Sequence, residues 1–242
     1  MNIIHTDPLW WPCRSVAVLV AALAVFGTSQ PALAQAPSAD LCGGLSNGDY
    51  GPFDFRKPHY LLATVEKNHF APKVEHLIGG QSGYDVGGDL SFVLIVFPNH
   101  ARALMAMMRL GEKEKRDKPV GARFEVECYF ERALRFRPDD NVVRMIYVLF
   151  LTKKSRQAEA LQQLLQVVES AGDNPFTHYN AGLLYFDLKE YDKAAAQART
   201  AQTQGFPGAS LINKLKAIGK WTEPEGTTTA PAPAASAASA PS

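Results

Sequence analysis

The sequence predicts an all-α protein, a solenoid of stacked helix-turn-helix pairs, and two regularities carry that expectation. The first is a period of 34 residues: Val126, Ala160 and Ala194 recur at that spacing, as do Phe130, Leu164 and Ala198, and Ala133, Val167 and Ala201. Within each copy the three positions lie four and then three residues apart, which places them on one helical face. The second is punctuation. Asn174-Pro175 opens the last copy with a capping side chain and a proline suited to a first helical turn, and Gly205-Phe206-Pro207-Gly208 closes it.

From the N-terminus, Ser15 to Phe26 form an apolar stretch preceded by Arg14 and followed by Gly, Thr, Ser, Gln and Pro, then by Ala32-Leu33-Ala34. Residues 1–34 are therefore expected to be a cleaved secretory signal peptide, because a membrane span needs about 20 apolar residues and this stretch is shorter. Export implies the periplasm and no stable membrane anchor after cleavage. In that oxidising compartment the remaining cysteines, Cys42 and Cys128, are candidates for one disulfide; two buried free thiols are the alternative.

Residues 35–59 are expected to be irregular, and 60–220 to be the helical domain. At its start, a helix over about 60–78 interrupted by Pro72 and a second over 89–97 suggest a degenerate early pair, with Gly79-Gly80 and Gly87-Gly88 read as turns. The clearest repeats are 101–138, 141–172 and 174–207. The first of these carries extra residues in the charged 111–121 connection, a candidate contact site. Leu211, Ile212, Leu215 and Ile218 give 209–220 the face of a terminal capping helix. Residues 221–242 offer no further large apolar side chain after Trp221 and are expected to be a disordered tail.

In the last copy Gly182, Tyr185, Tyr191 and Ala194 stand at the spacing of a known motif, with His178 where an aromatic is usual. These residues resemble a tetratricopeptide (TPR) repeat. The middle copy keeps the rhythm but has Val148 and Leu151 at the signature Gly and Tyr positions. The resemblance implies a concave surface that binds polypeptides. Its groove residues, carried over position by position, are Val142, Met145, Leu149, Thr152 and Lys153 in the middle copy and Phe176, Tyr179, Leu183, Phe186 and Asp187 in the last. Where the chaperone-binding subclass has Lys and Asn, this chain has Tyr179 and Leu183, or Met145 and Leu149, so an apolar helix or extended peptide suits the groove better than a terminal carboxylate. Gly43 to His59, with Tyr50, Phe53 and Phe55, is a rival occupant from within the chain.

Composition narrows the other classes. Twenty-five basic against 24 acidic residues leave a net charge of +1, with no basic patch for nucleic acid. Neither a Gly-x-Ser-x-Gly elbow, a phosphate-cradling Gly-rich loop nor a Cys-x-x-Cys pair occurs. The expectation is a protein-binding or assembly module, not an enzyme and without a cofactor, for which self-association is a further partner class. The alternative is a small metal-binding protein or enzyme using Glu66, His69, Glu75 and His76, whose first two members have a Glu-x-x-His spacing.

Overall fold

The computed structural model describes residues 42–206 and 208–222; the predicted signal peptide and all but the first two residues of the predicted tail lie outside them. Among the described residues there are ten α-helices and no β-strand. They are α1 (Leu62–His69), α2 (Pro72–Glu75), α3 (Val86–Val96), α4 (Ala101–Glu114), α5 (Val126–Phe136), α6 (Asn141–Lys153), α7 (Gln157–Glu169), α8 (Pro175–Asp187), α9 (Tyr191–Thr203) and α10 (Ser210–Ala217). None is long and apolar enough to cross a membrane.

From α4 onward the helices alternate between two kinds. The first-of-pair helices α4, α6 and α8 touch one another in series, and each is followed by a second-of-pair helix, α5, α7 or α9. All nine stripe residues sit on the second helices and are at most 3 % exposed. Small side chains there let neighbouring helices approach closely, and each larger one removed from water contributes about 1.5–3 kcal/mol.

The local chemistry repeats with the packing. Each first helix is capped by a side chain that accepts the backbone N–H three residues on: His100 from Ala103, Asp140 from Val143, Asn174 from Thr177. After each first helix comes a non-glycine residue in the left-handed region, Lys115, Ser155 or Lys189. One residue then separates Ser155 from α7 and Lys189 from α9, whereas ten separate Lys115 from α5. The extra residues of the first copy form a loop between paired helices, but over 116–125 and not 111–121 as expected, because Gly111 to Glu114 continue α4, where Gly111 is buried against Val126. At the other end Gly182 leaves room for α10, since a Cβ there would meet Leu211 Cδ2 at 2.5 Å.

Upstream of α4 the arrangement is less regular. Helix α3 is buried on all sides through Leu90, Val93, Leu94 and Val96. Gly87 and Gly88 are not turn residues, contrary to expectation, but belong to its first turn. A Cβ on Gly87 would come within 2.2 Å of the Val120 carbonyl oxygen, so the glycine admits the 116–125 loop against the helix. The expected 60–78 helix is split into α1 and α2 at Phe70-Ala71, ahead of Pro72. Trp221 packs against the core beside Arg199, so the folded body includes the first residue of the expected tail.

Residues 42–60 form a strap without helix. Cys42 and Cys128 are joined by a disulfide. Buried Arg132 donates Nη1 to the carbonyls of Cys42 and Gly44 at 3.0 and 2.6 Å, and Arg135 donates to that of Gly43 at 2.8 Å. Burial pulls the Arg132 guanidinium below its ordinary pKa, because its acceptors here are neutral carbonyls. Further along, Phe53 N–H donates to Val96 O at 2.8 Å and Phe55 N–H to the Asn99 side chain at 2.9 Å. The buried Asn99 amide donates in turn to Asp54 and Asp140, tying the strap to the α6 cap. The Arg56 guanidinium beside Asp54 holds its carboxyl well below the usual carboxylate range.

Candidate functional site

An open apolar depression of about 340 Å³ lies between α6 and α8. Met145, Ile146, Leu149, Leu183 and Leu184 line it, and Val142 and Phe176 stand at its rim, 45 % and 55 % exposed. Helical periodicity explains the lining: Val142, Met145 and Leu149 lie three and four residues apart on α6, and Phe176, Asn180, Leu183 and Asp187 do likewise on α8. Asn180, also in the lining, donates its side-chain amide to Phe176 O at 2.8 Å. The Asp187 carboxylate closes one end.

Six of the ten expected groove residues line this depression: Val142, Met145, Leu149, Phe176, Leu183 and Asp187. The other four do not, and Thr152 donates its hydroxyl to Val148 O of its own helix at 2.8 Å. Tyr179 stacks on Phe206 with ring centroids 4.4 Å apart, and Phe186 packs edge-on to Tyr191 at 5.4 Å under Lys214. These two are seven residues apart and share the side of α8 turned toward the last turn of the fold. Lys153 pairs with Glu112 of α4 at 3.1 Å and lines the next cavity instead. Ile146, Asn180 and Leu184 were missed by carrying over motif positions, although each lies one turn from a residue that was named.

The strap does not occupy the depression. Its aromatic residues lie elsewhere, Phe53 against Phe97 and Phe55 against His100 at 4.0 Å, at the corner between α3 and α4. The rival occupant within the chain is therefore engaged on another face.

Glu66 and Glu75 share Arg102, while His69 and His76 are drawn to partners of their own. Glu66 accepts from His100 Nε2 at 3.1 Å, and Glu66 and Glu75 both approach Arg102, whose guanidinium fills the place between two carboxylates that a cation would take. His69 Nδ1 bonds the buried Asp89 carboxylate at 2.9 Å, and His76 Nδ1 bonds Pro72 O in its own helix. Among the described residues no three His, Cys, Asp or Glu side chains gather as metal ligands. His100 is fully buried, and because its Nδ1 accepts the Ala103 N–H, the proton sits on Nε2 facing Glu66. Burial lowers its pKa, the Glu66 carboxylate opposing that only in part.

Fold and site together define a class: an all-α protein of paired helices with an apolar groove between α6 and α8 that the described residues leave unfilled. No family model, curated protein or solved structure matches the chain.

Proposed function

We propose that this chain is an exported periplasmic interaction module, related in design to tetratricopeptide-repeat proteins, that holds an apolar polypeptide segment in the α6–α8 groove. The observation that carries the reading is the groove itself: an apolar floor with Phe176 and Val142 left in water beside it, while the chain's own aromatic strap packs elsewhere. An exposed concave apolar surface of this kind suits a polypeptide partner. The recurrence of caps at His100, Asp140 and Asn174, and of left-handed turns at Lys115, Ser155 and Lys189, supports the repeat design. The Cys42–Cys128 bond supports an oxidising compartment. The reading is one of binding, with no catalytic residue and no cofactor.

The test is affinity capture from native periplasm, using the exported chain and a Leu149→Glu/Leu183→Glu variant as baits. A buried carboxylate in an apolar contact costs several kcal/mol, so a groove-bound partner is expected to be retained by the first bait and lost by the second, with both baits equally helical by circular dichroism. Recovery of the same proteins by both baits refutes the groove as the binding surface.

A further inference from the structure

A second cavity, of about 400 Å³, opens beside the groove between α4, the start of the 116–125 loop and the end of α6. Four cations line it, Lys115, Arg116, Lys153 and Lys154, against two carboxylates, Glu112 and Asp117. Lys153 pairs with Glu112 and Lys154 with Asp117 at 2.6 Å, but Lys115 and Arg116 make no ion pair among the described residues. Both existing pairs are at the surface, with side-chain exposures of 53 and 41 % and of 46 and 71 %, so they yield readily to a competing anion.

The two cavities are joined along one helix. Val142, Met145 and Leu149 of the groove continue on α6 to Lys153, one turn past Leu149 and in the wall of the second cavity. From Met145 to Lys153 the helix rises about 12 Å, the reach of about four extended residues of a bound chain. Asp187 stands at the same end of the groove as Lys153, beside Thr152 and Ser155 at the end of α6, so an acidic ligand residue arriving at that end is repelled by the α8 wall and drawn across α6 toward the cations on the α4 side. A third cavity next door, reached past Asp117 and Lys154, adds Arg156, but Glu127 and Glu159 already hold that guanidinium, both at 2.6 Å.

We infer that the polypeptide bound in the groove is an apolar segment followed, about four extended residues on, by Asp or Glu side chains that enter the cavity of Lys115, Arg116, Lys153 and Lys154. The inference rests on the groove being a peptide site and adds the chemistry and direction of its ligand. The end of α4 and the extra loop of the first copy then have a role, since they supply Lys115 and Arg116, which make no ion pair among the described residues.

The test is selection of phage-displayed random peptides on the purified exported chain, followed by affinity measurement on the enriched peptides. Two variants serve as comparison, Lys115→Gln/Arg116→Gln and Leu149→Glu/Leu183→Glu. Enriched sequences are expected to pair an apolar cluster with downstream acids. They should bind the Lys115→Gln/Arg116→Gln variant about five- to tenfold more weakly at low salt, a difference that closes near about 0.5 M salt. Enriched apolar peptides without an acidic preference, or equal affinity for that variant, overturn this inference and leave the groove in place. Peptides that bind the Leu149→Glu/Leu183→Glu variant undiminished, or no enrichment at all, overturn the groove reading and this inference with it.

Discussion

Removing the disulfide with Cys42→Ala/Cys128→Ala should cost more stability than any single side chain in the fold. The bond closes a loop with a sequence separation of 86 residues. In the chain-entropy treatment a loop of that length restricts the unfolded chain by about 15 cal/mol/K, or about 4.5 kcal/mol at 25 °C. Arg132 and Arg135 continue to hold the carbonyls of residues 42–44, so the folded state keeps its strap and the loss arises almost wholly in the unfolded ensemble. For a body of this size each kcal/mol corresponds to about 2–4 °C, which puts the fall in Tm at about 9–18 °C. Urea and thermal unfolding of the oxidised parent and the double variant, followed by far-UV circular dichroism, measure it. A variant with native-like helicity and a midpoint within about 2 °C of the parent would refute the argument, because the unfolded chain would then gain nothing from the open loop.

Two other perturbations test the upstream packing. Gly87→Ala should lower stability by about 1–3 kcal/mol even though alanine is ordinarily the better helix former, because its Cβ has 2.2 Å to the Val120 carbonyl; an unchanged or raised Tm would show that the 116–125 loop does not press on α3. Lowering the pH should also destabilise the protein through His100. Its folded pKa lies below the ordinary 6.5, so the unfolded chain takes up the proton first, and the contribution is complete above about 6.5 and declines as the pH falls below it. His100→Asn, which keeps a capping side chain, should flatten the dependence between about pH 7 and 5 in urea titrations, and parallel dependences for the two proteins would remove His100 as the cause.

The second-of-pair helices were legible in the sequence because their packing is local and periodic. Val126, Ala160 and Ala194, with their companions four and seven residues on, need only a helix and a neighbour to be buried, and all are. Caps behaved in the same way: Asn174 does what its type and place imply. The groove was legible in part. Val142, Met145, Leu149, Phe176 and Leu183 face it, but Tyr179 and Phe186 are claimed by Phe206 and Tyr191, aromatic neighbours that no spacing within α8 announces. The strap was illegible for a related reason. Its path depends on Asn99 meeting Asp54 and on Arg132 meeting three consecutive carbonyls, contacts between residues 45 and about 90 positions apart in which each partner alone reads as an ordinary surface polar group. Gly87 reads as a turn until the carbonyl that requires it is in place.

The bond between Cys42 and Cys128 also decides how the molecule answers a pull on its two ends. Tension entering at Cys42 crosses the sulfur bridge directly into α5 and bypasses residues 43–127, which include α1 to α4. Of the described residues beyond the bridge, the 94 from 129 to 222 can be drawn out, by roughly 330 Å at about 3.5 Å per residue, and that stretch contains α6, α8 and the groove between them. Reduction adds the bypassed residues to the extensible length. Under load the N-terminal half is thus a rigid handle, and the half that carries the groove is the part that gives.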